Sequence, residues 1–202
     1  CTKDLIQEEI FASKRHLFSE LELVFFDTTS IYFEGKGGQS LGQRGYSKDH
    51  RPDLKQMIVG VVIDNQGQPI CCQMWPGNTA DVSSLLPIVE EIKKRFSIRS
   101  FCIVADRGMI SAETLKRLEE ANIGYILGCR MRKVKEIQTE VLTRAGRYRE
   151  VYPENAEPGK QAPLKVKEVR HEGKRYIVCV NGRQARKDAA RLSGQIAQGK
   201  DP

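Results

Sequence analysis

The chain has 202 residues, 40% of them hydrophobic, with 33 Lys and Arg against 26 Asp and Glu for a net charge of +7. That length suits one large domain or one domain carrying an insertion, and no segment is long and apolar enough to span a membrane. The basic balance, with a pI near 9.1, makes a polyanionic partner plausible without identifying it.

Six cysteines are present, but none has the paired spacing of a metal finger. Buried, reduced thiols are expected rather than disulfides or zinc ligands. The chain opens on Cys1-Thr2-Lys3-Asp4, and the expectation is a piece of a longer protein without a secretory leader.

Residues 4–20 read as an amphipathic helix with Leu5, Ile6, Ile10, Leu17 and Phe18 as its apolar points. An aromatic strand follows around Asp27. The stretch holding Gly35, Gly37, Gly38, Gly42 and Gly45 lacks the Lys-Ser ending of a phosphate cradle and reads as a mobile loop. Residues 57–63 predict a strand, Asp64-Asn65-Gln66-Gly67 a turn, and residues 70–75 the returning strand.

A helix is predicted from Ser83-Ser84, with Pro87 tolerated in its first turn. Leu85, Ile88, Val89, Ile92 and Phe96 form its core stripe. The strand Phe101–Ala105 ends in Asp106. Ser111 caps the next helix, whose inward positions are Leu115, Leu118 and Ala121. Tyr125-Ile126-Leu127 makes a fifth strand. Beyond it, Val134, Ile137 and Val141 suggest a short basic helix, and a polar loop runs from Tyr152 to Gly159. Leu164–Arg170 and Arg175–Val180 pair as a hairpin around His171-Glu172-Gly173. A last helix carries Ala185, Ala189, Leu192 and Ile196.

Two aspartates stand out, because Asp27 interrupts an apolar aromatic strand and Asp106 terminates another. A carboxylate among buried aromatics loses hydration and stays charged only beside a cation or several donors. The competing reading of Asp27 is a bulge or capping residue served by Thr28 or Thr29. That of Asp106 is a turn residue paired with Arg107. Three strands, helix, strand, helix, strand is the order of a ribonuclease-H-like core, in which the first and fourth strands are neighbours about 4.8 Å apart. Two inward carboxylates there could share a divalent cation.

Four ordered motifs carry a resemblance: Phe26-Asp27-Thr28-Thr29, Gly45 through Gln56, Pro76-Gly77-Asn78-Thr79-Ala80-Asp81, and Ala105-Asp106-Arg107-Gly108-Met109. Together they resemble bacterial insertion-sequence transposases of the DDE class, closest to the insertion-sequence-four superfamily. The resemblance implies an α/β, ribonuclease-H-like mixed sheet with a β-rich insertion. The expected divisions are 1–20, the end of a preceding helical region; 21–129, the core; 130–182, a basic insertion; and 183–202, the start of a helix.

The resemblance also implies three acidic ligands for two Mg²⁺ or Mn²⁺ ions, with Asp27 and Asp106 as the first and second. The third is a glutamate in a Tyr-x-x-Arg-x-x-x-Glu pattern that this sequence lacks. Glu136, Glu140 and Glu172 do not have its context, and the chain is expected to stop before it. The implied chemistry is water attack at a transposon end, then attack of the freed 3′-hydroxyl on target DNA. Lys48, His50, Arg51, Arg107, Arg130, Arg132 and Lys133 are the expected DNA contacts. The expected partners are transposon-end and target DNA and a second protomer, in a bacterial, nucleoid-associated, cytoplasmic setting. The alternatives are another ribonuclease-H-like nuclease or a non-catalytic DNA-binding remnant.

Overall fold

The structure is a computed structural model that describes residues 1–13, 23–35, 37–47, 49–96, 98, 100–129, 131, 134–152 and 164–197. The chain divides into two compact units, Cys1–Cys129 and Arg130–Pro202. Lys48, Arg130, Arg132, Lys133, Leu17, Phe18 and the segment 153–163 lie outside the described residues.

The first unit is built on a five-stranded mixed sheet. Leu23–Phe33 (β1), Lys55–Asp64 (β2) and Pro69–Pro76 (β3) form an antiparallel meander; Cys102–Ala105 (β4) and Gly124–Leu127 (β5) add on parallel to β1, in the order β3-β2-β1-β4-β5. This is the expected ribonuclease-H-like order. Asp64 sets the β2–β3 turn, since its Oδ1 accepts from the Gln66 and Gln68 amides at 2.8 Å and Gly67 takes a φ of +78°, which glycine does without strain.

One face of the sheet is the core. Leu85–Phe96 (α2) buries Leu85, Ile88, Val89, Ile92 and Phe96 in one cluster with Val24, Phe26, Val62 and Ile103. Each such side chain contributes about 1.5–3 kcal/mol by leaving water. Pro87 sits in the first turn of α2, where its missing N–H costs nothing. Ala112–Glu120 (α3) starts as read, with the Ser111 hydroxyl accepting from the Thr114 amide at 3.0 Å. Thr114 and Leu118 are its buried positions, whereas Ala121 is exposed past the helix end.

The opposite face of the sheet is open, and Phe25, Ile31, Val61, Met74 and Ile126 are exposed on it.

Thr2–Ser13 (α1) departs from its predicted orientation, since Leu5, Ile6 and Ile10 face solvent. Distant contacts turn it. Phe11 stacks edge-on against Phe96 at 4.9 Å. Arg95 donates to Glu8 at 2.7 Å and to the Asp4 carbonyl at 2.8 Å. The glycine-rich segment is likewise fastened. Gln43 pairs with Gln56 as a β-bridge, and the buried Gln56 amide donates to the carbonyls of Tyr46 and Gly77 at 2.9 and 2.8 Å. A Cβ on Gly45 would fall 2.0 Å from the Gly77 carbonyl oxygen, so only glycine permits this approach.

In the second unit, Arg149–Val151 (β6), Leu164–His171 (β7) and Lys174–Asn181 (β8) form an antiparallel sheet. Glu172 and Gly173, at φ +47° and +76°, make the two-residue hairpin turn with the twist such strands favour. The basic-helix reading becomes a π-helical segment, Ile137–Leu142, with Ile137 and Val141 buried beside Val169. The buried Lys167 amine donates to the Leu142 carbonyl at 3.2 Å, holding that segment's end against β7. Gly182–Ala197 (α4) follows directly.

All six cysteines are free, but only Cys71 is buried. Cys72 and Cys102 are half-buried and Cys129 and Cys179 exposed, correcting the expectation of buried thiols.

Candidate active site

β1 and β4 run parallel in the register Leu23–Cys102 through Phe26–Ala105. One further step sets Asp27 beside Asp106, which continues β4 in extended conformation (φ −75°, ψ 163°). Alternation decides the face. Val24, Phe26 and Thr28 of β1, with Ile103 and Ala105 of β4, point into the core. Asp27 and Asp106 therefore share the open face.

Both aspartates are exposed, which corrects the premise that Asp27 is enclosed by aromatics. Phe26 turns inward; Phe25, on the face of Asp27, is itself 37% exposed. Neither carboxylate therefore bears the burial cost that the unbroken apolar run suggested. The local-donor reading of Asp27 has substance as well, because its Oδ1 accepts from the Thr28 amide at 2.7 Å.

The predicted DNA contacts scatter. Arg107 is exposed and immediately follows Asp106, in a short 3-10 turn, Arg107–Met109. His50 and Arg51 are exposed on a loop anchored elsewhere. The Ser47 hydroxyl accepts from the Arg51 amide at 2.7 Å and lies 2.9 Å from the Tyr32 hydroxyl. Tyr32 is five residues beyond Asp27, about 17 Å along an extended strand. His50 adopts a left-handed φ of +57°, and Arg51 is engaged by Asp53 through two 3.0 Å bonds.

The family model of the transposase DDE domain matches residues 19–192. The chain belongs to that family. Among solved structures it is similar to a Mos1 transposase paired-end complex with left transposon end, at 19% identity and a TM-score of 0.37, over 61% of this chain and 40% of that one. It is also similar to a piggyBac transposase synaptic complex with hairpin DNA, at 14% identity and a TM-score of 0.41, over 87% and 38% respectively. The chain thus spans about two fifths of the length of these structures. No curated protein matches it.

Within this transposase domain the donor set of Asp27 and Asp106 fits a hard divalent cation. Both offer carboxylate oxygen, and the open face leaves room for the waters such an ion retains. Among the described residues, one group of three potential ligands occurs, in the second unit: Glu136, His171 and Glu172, with ligand atoms within 4.8 Å of one another. It contains neither Asp27 nor Asp106. Glu136 and Glu172 are exposed, and His171 Nε2 is 3.5 Å from Glu136.

One neighbour of the aspartate pair was missed from sequence. Asp81 opens the 3-10 turn Asp81–Ser83 before α2, and its Oδ1 accepts from the Thr28 hydroxyl at 2.8 Å. The available signal was its place as the last residue of the motif Pro76-Gly77-Asn78-Thr79-Ala80-Asp81, which carried the resemblance without a role for Asp81.

Proposed function

We propose that this chain carries the catalytic core of a DNA transposase that cuts at transposon ends and joins them to target DNA. The observation supporting the reading is the placement of Asp27, within β1, and Asp106, just after β4, on one open face one step past the last residues that the two parallel strands pair, within a chain of the transposase DDE family.

In this reading Asp27 and Asp106 hold two divalent cations, Mg²⁺ or Mn²⁺. Such ions, when bound, lower the pKa of an attacking hydroxyl and neutralise charge building on the phosphate. The residues themselves do the positioning. Asp27, from within β1, and Asp106, from the extended residue after β4, would present the metal-facing oxygens. Arg107, next in chain, offers a guanidinium to a phosphate oxygen close to the cut. His50 and Arg51, about 17 Å along β1, would meet the DNA backbone farther from it, together with Lys48. Arg130, Arg132 and Lys133 supply further phosphate contacts. A third carboxylate completes the set, and Glu136, Glu140 and Glu172 are not assigned to it. The wider setting proposed is an insertion-sequence transposase acting on the bacterial nucleoid in the cytoplasm, with two protomers pairing two ends.

The test uses the full-length protein. Asp27→Asn and Asp106→Asn should each abolish metal-dependent cleavage of a transposon-end duplex while leaving its binding in place. Cleavage retained by either variant refutes the assignment. Cutting without joining, in a strand-transfer assay, would indicate a nuclease instead.

A further inference from the structure

The back of β1 carries a contact that the proposed chemistry does not use. Thr28 is almost fully buried on the core face, directly after Asp27. Its hydroxyl donates to Asp81 Oδ1 at 2.8 Å, while its amide donates to Asp27 Oδ1 at 2.7 Å. The other oxygen of Asp81 faces the turn that follows Asp106, since a Cβ placed on Gly108 would lie 3.4 Å from Asp81 Oδ2. Asp81 is thus between the residue after the first aspartate and the turn after the second. It is itself fixed, because the Ser84 amide and hydroxyl both donate to its carbonyl, at 3.1 and 2.6 Å.

We propose that Asp81 is a positioning residue for the Asp27–Asp106 pair, acting through the Thr28 hydroxyl and through its closeness to the Gly108 turn. This rests on the reading of that pair as a metal site. β1 and β4 are hydrogen-bonded only as far as Phe26 and Ala105, so the two aspartates lie one step past the last paired residues. Sheet pairing alone leaves their separation loosely set. A hydrogen bond from a hydroxyl to a carboxylate is stronger than one between neutral groups, and here it ties β1, from the core side, to an aspartate whose other oxygen faces the turn after β4. Partners behind metal ligands orient them without touching the ion, and Asp81 would do so one residue removed, through Thr28, whose amide bonds Asp27 Oδ1.

The experiment measures Mn²⁺ affinity of the full-length protein by the loss of the free-ion paramagnetic resonance signal, alongside melting temperature and transposon-end binding. Thr28→Val keeps the volume and removes the hydroxyl; Thr28→Ser keeps the hydroxyl and removes a methyl. Thr28→Val and Asp81→Ala should each weaken Mn²⁺ binding about 10-fold, within the range seen for such outer partners. The double variant should be no weaker than Asp81→Ala alone, as expected for two residues acting through one bond. Thr28→Ser should bind Mn²⁺ normally even where its melting temperature falls. Asp27→Asn serves as the reference. If it weakens Mn²⁺ binding while Thr28→Val and Asp81→Ala do not, or if Thr28→Ser loses affinity along with stability, the positioning role is wrong and the metal site stands. If Asp27→Asn leaves Mn²⁺ affinity unchanged, the metal-site reading fails and this inference falls with it.

Discussion

Strand alternation sends Phe26 into the core and leaves the Asp27 carboxylate exposed on the open face. Asp27→Asn should therefore leave stability within about 0.5 kcal/mol of the parent, as exposed substitutions usually do. Loss of cleavage in that variant would then report chemistry rather than unfolding. Cys71 is the opposite case. Burial, with the Glu91 charge nearby, pushes its thiol from the ordinary 9.0 up to about 12. The unfolded chain releases this proton first, so the contribution is fully present below about pH 9 and is lost as pH rises toward 12. Between pH 8 and 10.5 the wild type should lose about 2 kcal/mol more stability than Cys71→Ala, as follows from about 1.4 kcal/mol per pH unit. Urea unfolding at the two pH values measures it, and parallel losses in both proteins would show that Cys71 does not titrate this way.

At the scale of elements, α3 stands on a short signal that sequence and structure share. Ser111 is exposed enough to be replaced without repacking, yet its hydroxyl accepts the Thr114 amide. Ser111→Ala should cost about 1 kcal/mol, as lost caps do, read as a lower urea midpoint with an unchanged denaturant slope. Such features were legible because they are local. The stripe of α2, the Asp64–Gly67 turn and the hairpin turn at Glu172-Gly173 each depend on residues within a few positions of one another. The misread features depend on distance in the chain. The face presented by α1 is decided by Arg95 and Phe96, more than eighty residues on. The fastening of Gly45 depends on Gly77, and the role of Asp81 on Thr28. β6 was missed for another reason, since three exposed residues, two of them charged, give no apolar alternation. The aspartates themselves were singled out from sequence as a proposed site. Their environment was not, because a run such as Leu23–Phe26 is apolar at every position and hides which side chains turn inward.

Across the whole molecule the charge is divided by unit. Residues 130–202 contain 18 Lys and Arg against 9 Asp and Glu, a net +9, leaving 15 against 17, a net −2, for residues 1–129. The unit bearing the aspartate pair is thus slightly acidic, which favours cation binding and disfavours a polyanion. Under the proposed function, affinity for DNA then comes mainly from the second unit. Beside its small buried cluster of Ile137, Val141 and Val169, most of its described residues are exposed, where they can meet phosphates. Each phosphate neutralised by a basic residue releases counterions and steepens the dependence of log affinity on log salt by about 0.9 for duplex DNA. Arg147 and Arg149 are both exposed there. Replacing both with Ala in the full-length protein should flatten the salt slope by about 2. Metal-dependent cleavage at saturating protein should persist, because neither residue belongs to the unit that holds Asp27 and Asp106. Fluorescence anisotropy on a transposon-end duplex between low and moderate salt reads the slope directly, and a double variant with the parent's slope would mean that the basic unit does not carry the DNA.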